Sequence, residues 1–235
     1  MKQSIKRKSI RGIMLGLLII LVGAKSCIVK AQSANSRTYY GYGLSLSVPQ
    51  QEISSNIPQI NGLKITFVGC NVGGMIANTI GKLKVNMGMY YSGSSSPYEV
   101  DMIRGGVTGN IYLLRLNKIK EAHLFEPYAV LGVSHQTSKF YGNYLSSDPN
   151  NSTSSADQPF LGKVNSMRLN VGAGVEMQLE SDNQKFIHVF AEVTYGSPLS
   201  SSGSNSAFSQ TKVMNAVTFN FGVNFGIVKI SRYKR

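Results

Sequence analysis

The sequence predicts an all-β fold, an eight-stranded antiparallel up-and-down transmembrane β-barrel with short periplasmic turns and longer outer loops, and three observations carry that expectation. Apolar and polar residues alternate with period 2 in eight separate stretches, and no sustained period-3.6 pattern competes with them. Several stretches reach about ten residues or more, the length a tilted strand needs to cross the hydrocarbon, whereas soluble strands usually have about five or six. The connections are also sorted. Odd-numbered ones are mostly long and rich in Ser, Asn and Pro; even-numbered ones are mostly short.

Residues 1–31 read as a signal peptide and 32–235 as one barrel domain. The first segment has a basic start (Lys2, Lys6, Arg7, Lys8, Arg11), an apolar run from Ile13 to Ala24, and Val29-Lys30-Ala31 before Gln32. The run is too short for a transmembrane helix of about 20 residues. Lipidation at Cys27, after Ala24-Lys25-Ser26, is the minor alternative. The chain holds 24 Lys+Arg and 11 Asp+Glu; with Lys25 and Lys30 the segment takes seven of the basic residues and none of the acidic, leaving 17 against 11, a net of +6. These charges are scattered, with no basic helix or aromatic nucleic-acid motif, so no nucleic-acid partner is expected. Cys70 is the single cysteine of 32–235, so stability has to come from the fold and not from an internal disulfide.

Strand one is "YYGYGLSLSV", with Tyr40, Tyr42, Leu44, Leu46 and Val48 on one face. Strand two, about 63–77, changes phase between Leu63, Ile65, Phe67 and Val68, Cys70, Val72, which predicts a β-bulge near Val68-Gly69. Strand three sets Leu83, Val85, Met87, Met89 and Tyr91 against Lys84, Asn86, Gly88 and Tyr90. Strand four, about 100–116, sets Ile103, Val107, Ile111 and Leu113 against Arg104, Thr108, Asn110 and Tyr112. Strand five, "PYAVLGVSHQ", puts Ala129, Leu131 and Val133 on one side. Strand six opposes Met167, Leu169, Val171, Ala173, Val175, Met177 and Leu179 to Arg168, Asn170, Gly172, Gly174, Glu176 and Gln178. Strand seven opposes Ile187, Val189, Ala191, Val193 and Tyr195 to His188, Phe190, Glu192 and Thr194. Strand eight, "VTFNFGVNFGIV", alternates Val217, Phe219, Phe221, Val223, Phe225 and Ile227 with Thr218, Asn220, Gly222, Asn224 and Gly226.

The polar faces hold Gly, Asn, Thr and Ser with few charges, where a water-facing sheet would carry many Lys and Glu. Small polar side chains suit a narrow eight-stranded interior, which must be filled. Phe219, Phe221, Val223 and Phe225 are therefore expected to face lipid, and Asn220, Gly222 and Asn224 the lumen. Tyr39, Tyr40 and Tyr42 at one rim and Tyr91, Tyr195 and Phe160 towards the other fit aromatic girdles.

With signal peptide, strand count, sorted loops, "EPYAVLGVS" and the terminal "FNFGVNFGI", the chain resembles small outer-membrane β-barrels of the OmpA/OmpX type, and more closely the PorT-like barrel group of Gram-negative bacteria. The resemblance covers the mature chain and implies a place in the cell outer membrane. Such barrels often end on an aromatic residue; here "VKISRYKR" follows, and Phe225 is the nearest candidate for that role.

No catalytic, metal or cofactor motif stands out. His123, His135 and His188 lack metal-site spacing, and Cys70 reads as a small apolar wall residue. His135 with Ser134 or Ser138 imitates the His/Ser pair of barrel enzymes that act on lipid A, but serine-rich segments make such coincidences cheap. Lys84, Arg104, Arg168, Glu176 and Glu192 fall on polar faces and predict a lumenal ion-pair network that plugs the barrel. Counting back from the turn at 181–184 places Glu192 about level with Gly172, which predicts a pair with Arg168, Arg104 or both. The expected function is a non-enzymatic outer-membrane barrel with a structural or interaction role in the envelope, including as a component of a secretion or envelope complex. Its expected partners are outer-membrane lipid and envelope proteins, with residues 138–160 as the contact surface and no oligomeric state implied. The alternatives are an outer-leaflet lipid-modifying enzyme and a soluble exported β-barrel that binds a ligand.

Overall fold

The computed structural model describes residues 35–58, 60–92, 99–116, 125–142, 160–181, 185–205 and 207–232. Residues 1–31, expected to be a signal peptide, Cys27 among them, and His123 and most of the longest connection lie outside the described residues. By its contacts the chain divides into Met1–Arg37 with Ile230–Arg235, and Thr38–Lys229. Of the first unit, the described residues are the beginning of β1 and the end of β8; the second unit is the barrel.

Eight strands follow one another: β1 (Asn35–Ser54), β2 (Lys64–Ala77), β3 (Gly81–Ser92), β4 (Glu99–Tyr112), β5 (Phe125–Tyr141), β6 (Phe160–Ser181), β7 (Lys185–Gly203) and β8 (Lys212–Arg232). They close a barrel in sequence order, and each of the seven consecutive pairs is antiparallel. The backbones of Gly222 and Gly226 on β8 lie against Leu44 and Tyr40 on β1, which closes the ring. Closure gives every strand two neighbours and leaves no edge. A single four-residue helix among the described residues, α1 (Leu113–Leu116), follows β4.

The strands outrun the alternation seen in sequence. β5 continues to Tyr141 and β7 to Gly203, so "SKFY" and "SPLSSSG", expected as loop, are paired strand. Their serine-rich composition reflects an outer face above the apolar belt, not the absence of a strand. β4 is shorter than expected. It stops at Tyr112, whose N–H donates to the Ile80 carbonyl at 2.9 Å, and α1 takes Leu113–Leu116.

The bulge expected near Val68-Gly69 does not form. β2 runs in unbroken register with β3 from Phe67↔Ser92 to Ala77↔Lys82. The phase change is in the lining: Val68, Val72 and Ile76 point outward, and Ile65 and Phe67 point inward into an apolar cluster. The register shifts that do occur lie at Phe140/Tyr141, Met167/Arg168 and Gln178/Glu180.

Candidate functional site

The outer wall carries Leu44, Leu46, Val72, Val85, Met87, Val107, Val171, Val193 and their neighbours as exposed apolar side chains. Phe219, Phe221, Val223 and Phe225 belong to it, at 37, 57, 37 and 41 % exposure, while Thr218 and Asn224 on the other face are buried. Cys70 lies on the same outer wall between Leu46 and Met89. An outside belt this apolar around a polar interior is the reverse of a soluble barrel, so the chain is a lipid-spanning barrel of the outer-membrane type. That outcome removes the soluble, ligand-binding alternative.

The lumen is filled in layers. Nearest the short turns, Lys82 on β3 pairs with Glu176 on β6, and both are nearly inaccessible. Glu176 also accepts from the Tyr112 hydroxyl at 3.2 Å and from Asn224 Nδ2 at 3.4 Å, and contacts His188 Nδ1. The next layer joins Lys84 Nζ to Glu192 Oε2 at 3.4 Å, from β3 to the wall opposite it. Asn220 Nδ2 and the Tyr128 hydroxyl donate to the same carboxylate, at 3.1 and 3.3 Å. Lys84 also stands 4.6 Å from the centre of the Phe190 ring. The Tyr128 ring lies over Gly174, its cross-strand partner, where any Cβ would collide with it. At the rim of this end, Arg115 after β4 pairs with Glu126 on β5, its Nη2 2.6 Å from Oε2, and donates to the Thr79 carbonyl at 3.0 Å.

Arg104 and Arg168 occupy the level above. Arg104 donates to Ser134 Oγ, Thr218 Oγ1 and Asn170 Oδ1 at 3.3, 3.2 and 2.8 Å. Arg168, 1 % exposed, donates to the Gly196 and Met214 carbonyls and to Gln51 Oε1. Its ladder position is irregular: between Met167 and Arg168 the partner on β7 jumps from Ser200 to Pro198. The guanidinium thus satisfies backbone acceptors of β7 and β8 beside that irregularity. Above it, Ile53, Ile60, Phe67, Met102, Phe140, Phe208 and others form an apolar cluster inside the outer end.

The expected network therefore divides. Glu192, Glu176 and Lys84 come together with Lys82, while Arg104 and Arg168 bind neutral acceptors. Glu192 does not pair with either arginine. At the turn Ser181 pairs with Phe186, and beyond the slip between Gln178 and Glu180 the pairs run on from Gln178↔His188, so Glu192 stands opposite Gly174 and not Gly172, one layer further from Arg168 and within reach of Lys84. Lys82 lies one residue before Leu83, where strand three is expected to start, but β3 begins at Gly81 and Lys82 continues the Lys84 face. Glu126 was missed in the same way, one residue before the expected start of strand five. His135 is exposed on the outer wall, and Ser134 and Ser138 are buried on the inner face of the same strand, so the barrel wall separates that His/Ser set. Among the described residues no three His, Cys, Asp or Glu side chains converge as metal ligands.

No family model matches the chain, and no curated protein matches it in sequence. Among solved structures it is similar to Neisserial surface protein A, with 12 % identity, a TM-score of 0.48, and cover of 82 % of this chain and 97 % of that one. It is also similar to Ail, the attachment invasion locus protein of Yersinia pestis, at 13 % identity and a TM-score of 0.40 over 83 % of this chain and 99 % of that one. For the outer membrane protein OprG from Pseudomonas aeruginosa the figures are 11 % identity and 0.35, over 84 % and 96 %. At TM-scores below 0.5 these likenesses assign neither activity nor partner to the chain.

Proposed function

We propose that this chain is a non-enzymatic outer-membrane barrel that acts through its outer surface, as a structural or interaction component of the envelope, and that it is a member of the PorT-like barrel group. The observation that carries this reading is the filled lumen. Charged pairs tie opposite walls at one end, and the apolar cluster around Phe67, Phe140 and Phe208 occupies the other. A lumen packed at both levels offers solutes no path, which leaves the outer wall and outer connections as the surfaces that meet other molecules. The long 142–159 connection is the contact surface for envelope or secretion-complex proteins under this reading.

The test is affinity purification of the tagged full chain from membranes, beside a version with 143–158 replaced by a short Gly/Ser linker. Envelope proteins should accompany the first and be lost from the second. Equal recovery from both would remove the connection from the proposal. A change in outer-leaflet lipid structure on deletion of the gene, with no protein partner, would select the lipid-modifying enzyme instead.

A further inference from the structure

The outer wall of β5 and β6 changes character rung by rung. The register pairs Val133 with Leu169, His135 with Met167, Thr137 with Asn165, Lys139 with Lys163, and Tyr141 with Phe160. The series runs from apolar through polar to doubly cationic, and ends on two aromatic rings whose centres are 5.7 Å apart. Thr137 Oγ1 donates to Asn165 Oδ1 at 2.8 Å, so the polar rung is tied across the strands.

The lysine rung is the unusual one. Like charges directly opposite each other on a sheet face repel. Among the described residues neither ammonium has a carboxylate within 4.0 Å. Two acids border the rung, both on β4 and on the Lys139 side: Asp101, opposite Lys139, and Glu99, opposite Tyr141 one rung above. On the other side β7 brings Ser200 and Ser202, opposite Met167 and Asn165, and no acid. The face is therefore open to an anion at Lys163 and flanked there by hydroxyl donors.

Height decides what kind of anion. A strand rises about 3.3 Å per residue and tilts about 35–45° in such a barrel, so each two-residue rung climbs roughly 5 Å. The lysines then stand about 10 Å above the His135–Met167 rung where the apolar belt ends. The headgroup layer on one side of a bilayer is about 5–8 Å thick, and lysine stems reach several ångströms to place their charge. The cations thus meet the phosphate level of the leaflet, two rungs above the His135–Met167 rung from which the apolar wall that receives acyl chains runs down.

We propose that Lys139 and Lys163 form a binding site for the phosphate groups of a phosphorylated glycolipid in the outer leaflet, with its acyl chains against Val133, Leu169 and Met167. The proposal rests on the lipid-spanning reading given above. Charge complementarity and continuity with the apolar belt favour an amphiphile over a free anion or a protein partner.

The test reconstitutes the full chain in phosphatidylcholine nanodiscs containing a small fraction of lipid A and counts lipid A retained per barrel by native mass spectrometry. Retention should fall about fivefold for each lysine replaced in Lys139→Gln and Lys163→Gln, the size of one lysine's attraction to an anionic surface. Lys64→Gln, on β2, should leave it unchanged. Retention by the parent should also weaken as salt rises, which decides the matter even where the double variant does not fold. Unchanged retention in the folded double variant, or a salt-insensitive parent, overturns the site. Saturable binding of inorganic phosphate with no gain from lipid A makes it a free-anion site and overturns the lipid assignment. Entry into nanodiscs, followed by heat-modifiable migration on gels, tests the lipid-spanning reading separately.

Discussion

Between its two ends the lumen of this barrel changes from charged to apolar on the same eight strands. Towards the short turns it holds Lys82 with Glu176 and Lys84 with Glu192. Towards the long connections it holds Ile53, Phe67, Phe140, Val164 and Phe208. The difference follows from what surrounds the wall. Where the outside meets lipid, the apolar side chains must point outward, and the inside has to close over polar ones that satisfy each other. Where the strands rise past the lipid, the outside meets water and the inside reverts to an ordinary hydrophobic core. β2 shows the change within one strand, with Val68, Val72 and Ile76 exposed and Ile65 and Phe67 buried. Arg104 and Arg168 mark the boundary, where carbonyls, amides and hydroxyls replace carboxylates as their partners.

The largest effect is expected at the charged end. Glu176→Gln keeps the side-chain volume but leaves the Lys82 ammonium, 4 % exposed, without its carboxylate. Removing one partner of a buried pair costs about 3–5 kcal/mol. Urea unfolding of the barrel in lipid vesicles, followed by the heat-modifiable band, measures it. Adding Lys82→Met should recover part of the loss, because no unpaired charge remains. A single variant as stable as the parent would show that Lys82 is satisfied by Tyr112, Tyr128 and Phe190 alone.

Close behind comes the apolar end. Phe140→Ala removes a fully buried ring that stands 5.3 Å from Phe208. Truncating a buried phenylalanine costs about 3–5 kcal/mol. The comparison between the ends lies in where the loss is felt. Hydrogen exchange should quicken at the outer ends of β5, β6 and β8 and stay slow around Tyr112 and Tyr128. Uniform acceleration along the strands would mean that the two ends melt as one unit.

The wall between the two ends gives a third, smaller effect. Phe221→Arg places a charge on the exposed face of β8, at a cost of about 2–4 kcal/mol near mid-membrane. Asn220→Ala, one residue away and facing inward, loses a hydrogen bond to Glu192 and should cost about 1–3 kcal/mol. If a thiol label placed at 221 reports water, the assignment of inside and outside on β8 is reversed.

Fold and facing were legible in the sequence because both rest on period-2 alternation, which survives an error of a residue or two at a strand end. Phe219 to Phe225 share one face by the alternation of their own stretch, and the scarcity of charge on the polar faces of the other strands turns that face to lipid. The partners inside the lumen were not legible in the same way. Pairing Glu192 requires the register of β6 with β7, which the turn sets: Ser181 pairs with Phe186, and after the one-residue slip between Gln178 and Glu180 Glu192 comes opposite Gly174, one layer from its expected level. Lys82 and Glu126 were lost at strand ends, where turn residues and strand residues have the same composition. The upper core was hidden for a third reason. Ile65, Phe67 and Met102 are apolar residues on the face that is polar lower down, so they read as a break in pattern and not as a change of surroundings.

The smallest effect separates the two layers of cations directly. Lys84 and Arg168 both line the lumen, yet only Lys84 reaches the Glu192 carboxylate, at 3.4 Å. A double-mutant cycle on Lys84→Met and Glu192→Gln should show a coupling of about 0.5–3 kcal/mol, the range for residues in contact. The same cycle on Arg168→Met and Glu192→Gln should be additive to within about 0.5 kcal/mol, the range for sites that share no partner. Arg168→Met should still destabilise on its own, because it strips the Gly196 and Met214 carbonyls of a donor, and a buried acceptor without one costs about 1–3 kcal/mol. Coupling that is stronger for Arg168 than for Lys84 would restore the register expected from the turn and move Glu192 up a layer. Absence of coupling in both cycles would leave Tyr128 and Asn220 as the groups that hold the carboxylate, and Lys84 as a cation held over the Phe190 ring.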